Sequence, residues 1–367
     1  MPQRLISADD HVDLSHDKIK SFLDPRLHDA YSAALAEFAA SLTGIRSNES
    51  NQRWREQQGA EDSGQVGVGG RNSHSLRPGH TEAGARLADM DADEVQASST
   101  YCEVSSFRYL YLVSGGCQQA TRAFNTALAD WASPAPDRLV VSFQIPIHDI
   151  DAAVAEVRWA VSVGCKSLQL PVFPGELGLP DYWDSRYDPL WRAISEAGLP
   201  ICLHIGLNTQ LEDLARRDPT PQKGIFVPMV PMSAGEQFGM WLLTGIFERF
   251  PELRVVFVEP GIGWVAWWLA TVDDMAARQG YDYPGLKMAP SDYFRRNVLL
   301  TFIDEPNVIA HARHIIGVEN VMWSSDYPHP VTSWPHSQAI AEQVTAGLSA
   351  AERDLVLYGN AARVWNI

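Results

Sequence analysis

Carboxylates and imidazoles gather at four places in this 367-residue chain. The stretch ADDHVDL at 8–14 holds Asp9, Asp10, His11 and Asp13; His204 stands in ICLHIG, Glu259 in FVEPGIGW, and Asp326 in WSSDYPH, followed by His329. Oxygen and imidazole ligands without thiolates suit one divalent ion such as zinc or manganese. An ion so held can orient a substrate and stabilise developing negative charge, or acidify a water, while a neighbouring carboxyl moves the proton. Asp9, His11, His204 and Asp326 are the candidate metal ligands, and Asp326, Glu259 and His204 the candidate catalytic groups.

Something must carry these residues to one point. Within an extended strand, side chains at 9, 11 and 13 share a face and Asp10 and Val12 take the other, so Asp9-x-His11 forms a chelating pair and Asp13 a candidate neighbour of the metal or substrate. Taken singly, His204 reads better as a core histidine bonded to a backbone carbonyl, and Asp326 equally well as a turn or cap residue. Short apolar, β-branched runs recur at 5–12, 96–101, 140–147, 166–173, 200–206, 254–261, 298–303 and 321–328. Helical spacing separates several of them, best at 150–163, and also at 118–132, 187–198, 235–250, 263–279 and 336–346. Strands alternating with helices predict a parallel (β/α)8 TIM barrel filling residues 1–367 as one domain. Active groups of such barrels sit at the C-terminal strand ends, and the four clusters fall at the predicted ends of strands one, five, six and eight.

Other features bound the function. A formal charge of −16 excludes nucleic acid or an anionic membrane as the main partner. The four cysteines have no C-x-x-C spacing, and no apolar run is long enough for a signal peptide or a membrane span, so a cytoplasmic protein is expected. Lys166 opens strand four rather than ending it, which places it at the opposite mouth of the barrel and favours one metal over two. The polar, glycine-rich segment 47–84 reads as an inserted surface loop or as a lid over the barrel mouth. Trp264, Trp267 and Trp268 after Glu259, with Trp323, Tyr327 and Trp334 around Asp326, suggest a flat substrate, although the i, i+3, i+4 spacing of the first three predicts that at least two pack in the core. Trp264, Tyr327 and His329 are the candidate substrate-binding residues. The apolar run 238–247, FGMWLLTGIF, suggests a homodimer interface or packing under the insertion.

The stretches ISADDHVD, RLADMDADEV, GCKSLQLPVF, DPLWRAISEAGLPICLHIG, FPELRVVFVEPGIGWVAWWL and VMWSSDYPHP together resemble the amidohydrolase superfamily, in its amidohydrolase-2 branch of metal-dependent decarboxylases. The resemblance implies a mononuclear zinc or manganese site in which Asp9 and His11 match the first-strand pair, His204 the strand-five histidine and Asp326 the strand-eight aspartate. Glu259 departs from it, standing where the compared decarboxylases carry a proton-transferring histidine. The activity implied is non-oxidative decarboxylation of an aromatic or conjugated acid. The same residues would serve a hydrolase acting on an amide, lactone or activated ring carbon, and a metal-free barrel would be a binding protein instead.

Overall fold

The computed structural model describes residues 3–43, 53, 57, 77–102, 106–206, 209–218, 224–280 and 283–367. Most of the 47–84 insertion, and with it the expectation of a lid, lies outside the described residues. Eight strands run β1 (Ile6–Val12), β2 (Ala97–Cys102), β3 (Leu139–Gln144), β4 (Ser167–Gln169), β5 (Ile201–His204), β6 (Val255–Val258), β7 (Val298–Phe302) and β8 (Val321–Trp323). Each pairs in parallel with the next. A bridge between Asp10 and Tyr327 ties the segment after β8 to β1, with His11 N donating to Tyr327 O at 2.6 Å and Asp326 N to Asp9 O at 2.8 Å. The chain is the expected (β/α)8 barrel.

Every strand is buried on both faces, which is why the strands read as near-continuous apolar runs. Alternate residues divide between two layers. Ile6, Ala8, Tyr101, Cys202, Val256, Val258 and Met322 fill the barrel interior, with Ala361, Val364 and Trp365 of the helix Asn360–Trp365 packed onto them. Leu203, Phe257, Leu300 and Trp323 face outward under the helices. Trp323 therefore serves packing. Lys166 lies at the other mouth from the histidines, its Nζ 2.7 Å from Asp137 and 3.2 Å from Asn366 O.

Several boundaries differ from expectation. Helix 235–250 is two helices, Gly235–Leu243 and Ile246–Arg249, because Gly245 sits at φ 81° and breaks the ladder. Phe238, Trp241, Leu242, Ile246 and Phe247 are all buried within this chain. The 238–247 run is thus a core element and not the exposed face on which a dimer was expected. Helices Ala83–Ala92, Thr209–Arg217 and Pro290–Asn297, short and rich in polar residues, were not expected from the sequence. Among the described residues, no helix is long and apolar enough to cross a membrane.

Candidate active site and metal centre

A bulge in β1 aims the first two candidate ligands. Between Ser7 and Asp10, β1 uses one more residue than β2, since Ser7 pairs with Ser98 and Asp10 with Thr100. Ile6 and Ala8 point into the barrel, and unbroken alternation would send Asp10 after them. The extra residue resets the phase, so Asp9 and His11 meet the other histidines while Asp10 turns away. Asp10 accepts from Ser7 Oγ at 2.8 Å and from Tyr327 N at 3.1 Å, and lies 3.7 Å from Arg86 Nη1. Burial pushes its pKa up to about 7, against the pull of Arg86.

The remaining candidate ligands come from β5 and the turn after β8. His204 Nδ1–H donates to Ile205 O at 2.5 Å, which leaves Nε2 as the outward lone pair, 3.3 Å from Asp9 Oδ1. Asp326 takes a left-handed backbone, φ 56°, and places Oδ1 3.0 Å from His11 Nε2 and 3.0 Å from His329 Nδ1. His329 stacks on His11 with ring centroids 3.7 Å apart. Ligand atoms of Asp9, His11 and His204, of His11, Asp326 and His329, and of Asp9, Glu259 and Asp326 lie within 4.8 Å of one another in each group, so Glu259 stands at the edge of the cluster. Both Asp9 oxygens, both His11 nitrogens, His204 Nε2 and both Asp326 oxygens are buried yet make no hydrogen bond. Seven such atoms in one cluster would cost several kcal/mol left bare, and a divalent ion would engage one nitrogen of each imidazole and the carboxylate oxygens that face it. The residues fit a metal.

Charges around the cluster are uneven. Burial opposes ionisation of Asp326, but His329 and His11 outweigh it and hold the carboxyl below the usual range. Burial likewise opposes protonation of His204, yet Asp9 raises its pKa to about 9. Burial lowers that of His11. Glu259, directly after β6, is also held in a left-handed conformation, at φ 61°, with its N–H donating to Thr301 Oγ1 at 2.7 Å. Of the five non-glycine residues so held among the described residues, Glu259 and Asp326 are the two in this cluster. The Glu259 side chain is 21% exposed, its Oε2 lies 4.0 Å from His204 Nε2, and burial, with Asp326 next, pushes its pKa up to about 8. The loop amides it could have capped, Ile262 N and Gly263 N, donate to Glu305 instead.

Not every expected residue reaches this cluster. The Tyr327 hydroxyl donates to Asp89 at 2.5 Å and its ring packs 4.4 Å from the Arg86 guanidinium. Trp264 donates to Pro260 O and packs on Phe238 and Trp268, while Trp267 is 67% exposed. Two of the three tryptophans therefore pack, as their spacing predicts. Trp334 stacks on Arg77, and Asp13 is exposed. Two groups that sequence reasoning missed matter more. Arg86, wholly buried, donates to Gly79 O and to the carbonyl of His11, tying β1 to the Pro78–His80 turn, while the Tyr327 ring packs on its guanidinium; only its place in RLADMD hinted at this. Arg108 and Glu176 line a cleft shared with His204, walled by Phe107, Val172, Phe173 and Leu177.

Three comparisons bear on this geometry. The γ-resorcylate decarboxylase of Rhizobium sp. (strain MTP-10005) is 24% identical over 265 residues, covering 66% of this chain and 77% of the relative. An amidohydrolase structure from Mycobacterium avium subsp. paratuberculosis K-10 superposes with a TM-score of 0.74 at 19% identity, each chain covered in full. The 5-carboxyvanillate decarboxylase of Novosphingobium aromaticivorans DSM 12444, with manganese and 4-hydroxy-3-methoxy-5-nitrobenzoic acid, gives 0.70 at 17%, covering 100% of this chain and 96% of its own. The family model described as amidohydrolase matches residues 30–367, and the chain belongs to that family.

Proposed function

We propose that this protein is a metal-dependent carboxy-lyase that removes CO2 from an aromatic acid without oxidation. The observation that carries the reading is the half-buried Glu259 carboxyl, poised to hold a proton beside a ligand cluster in which seven buried polar atoms make no hydrogen bond. The decarboxylase relative supports the same choice. Asp9, His11, His204 and Asp326 would hold one divalent ion, manganese or zinc, which when bound supplies orientation of the substrate carboxylate and electrostatic stabilisation of negative charge. The apolar cleft walls receive the ring. Glu259 delivers its proton to the carboxyl-bearing carbon; the C–H bond forms, the C–C bond breaks, its electron pair returns to the ring, and CO2 leaves. Glu259 is then reprotonated from solvent. His329 keeps Asp326 ionised and packs on His11, so both residues stay aimed at one point.

Hydrolysis is the second reading, favoured by Asp326 itself, since a carboxylate held anionic is suited to take a proton from water. The manganese- and zinc-loaded protein, offered carboxylated phenols, amides and lactones, separates the two: the proposal expects CO2 and the decarboxylated phenol. Hydrolysis products without CO2 would replace it, and no stoichiometric metal after reloading would make the barrel a binding protein.

A further inference from the structure

β7 and the loop after it hold the turn that carries Glu259 at both of its ends. At the near end, Glu259 N donates to the buried Thr301 Oγ1 of β7 at 2.7 Å. At the far end, Ile262 N and Gly263 N donate to the half-buried Glu305, one to Oε1 and one to Oε2, each at 2.8 Å. The backbone between is strained, with Glu259 at φ 61° and Gly261 at φ 64° on either side of Pro260. Its glycines make room for the clamp. A Cβ on Gly261 would stand 2.9 Å from Glu305 Oε1 and one on Gly263 3.0 Å from Oε2, so a side chain at either position would push the carboxylate off the amides. Helix Val265–Arg278 follows directly, and its N-cap residue, Trp264, makes no side-chain cap bond. A serine or aspartate within the turn would cap that helix alone. A carboxylate brought from beyond β7 does more, because it ties the turn to the strand that already fixes Glu259. Burial pushes the Glu305 pKa up, and the two amides pull against that.

We infer that Glu305 is a positioning residue for Glu259: together with Thr301 it fixes the strained turn on which the Glu259 carboxyl stands, and so sets where that carboxyl points beside His204. The bonds of Glu305 go to the turn and not to the candidate ligands. Releasing the clamp therefore leaves Asp9, His11, His204 and Asp326 in place and moves the acid. The inference rests on the decarboxylase reading only for what Glu259 does; the hold on the turn is a separate claim with its own measurement. A cap that served the helix alone would loosen Ile262 and Gly263 and leave Glu259 where it is.

The test uses the manganese-loaded full chain and two measurements, with metal content and thermal unfolding verifying each variant. Amide hydrogen exchange is read at single residues in wild type, Glu305→Ala and Glu305→Gln. Glu305→Ala is expected to speed exchange at Ile262, Gly263 and Glu259 by about 10- to 100-fold, the worth of hydrogen bonds to a charged group, with the amides of β5 unchanged. Glu305→Gln keeps one acceptor oxygen and shifts less; if Glu305→Ala does not fold, this variant decides. Faster exchange at Ile262 and Gly263 with Glu259 unmoved, or no change at any of the three, overturns the positioning role. CO2 release is then followed with 2,6-dihydroxybenzoate and 5-carboxyvanillate. Glu305→Ala should lower kcat by about 10-fold or more while KM stays within about threefold, and should cost nothing further in a chain that already carries Glu259→Gln. Equal losses on the two backgrounds would overturn the claim that Glu305 acts through Glu259. Exchange that moves as expected, with no CO2 from either acid in wild type, supports the clamp while removing the decarboxylase reading.

Discussion

Replacing Glu259 by Gln removes a proton and little else. The side chain keeps its shape, its backbone N–H keeps Thr301 Oγ1, and none of the four proposed ligands is touched. With its pKa pushed up to about 8 in the metal-free site, far more of the carboxyl holds its proton at pH 7 than at its ordinary value of 4.5. Loss of a general acid costs about 10²- to 10⁴-fold, or roughly 3–5 kcal/mol of barrier. Glu259→Gln should therefore lower kcat by at least about 10² with metal content intact. The acid must be protonated to act, so wild-type kcat falls as pH rises through its pKa; a bound cation draws that value down, placing the descending limb below pH 8. CO2 release measured from pH 5 to 9, with metal analysis of both proteins, is the assay. Turnover within threefold of wild type, or a descending limb that persists unchanged in the variant, would refute the assignment.

Other residues give separate signals. Asp9→Asn should weaken manganese binding far more than Asp10→Asn, as read by competition with a chelator, because the bulge turns only Asp9 to the cluster; equal losses would place the bulge elsewhere. Arg86→Met leaves Asp10 buried without its cation, and should cost about 3–5 kcal/mol in urea unfolding and reduce metal affinity as well. A loss under about 1 kcal/mol would show that Arg86 braces nothing. Burial pushes the Cys117 and Cys165 thiols up to about 12 and Cys202 to about 11. At pH 8 about one thiol in a thousand or fewer is then ionised, so iodoacetamide should spare these three in the native protein and label them after unfolding.

How much of this was readable in sequence depended on how local the cause was. β5 and β6 announce themselves because parallel strands buried on both faces need apolar side chains throughout, and His204 and Glu259 stand out against that background. The Asp9-x-His11 pair was also readable, since alternation over three residues is a local rule. The bulge that makes the rule hold beyond Ala8 was not, because it is defined only against β2. Arg86 and Asp89 were missed, and Tyr327 misjudged, for the same reason. Their meaning lies in contacts spanning 75 to 238 residues of chain, and an aromatic beside a candidate ligand looked like a substrate contact until its hydroxyl was found on Asp89. The 238–247 run looked like excess apolar surface because nothing local reveals that Gly245 folds it back into the core.

The central claim is that four side chains from β1, β5 and the turn after β8 gather one divalent ion beside Glu259. A crystal of the manganese-reloaded protein, with anomalous difference density recorded near the manganese edge, tests it most directly. One peak per chain, ligated by Asp9, His11, His204 and Asp326 with Glu259 outside its coordination, is the predicted result. A peak held through Asp10, a second ion toward Lys166, or no peak at all would contradict it.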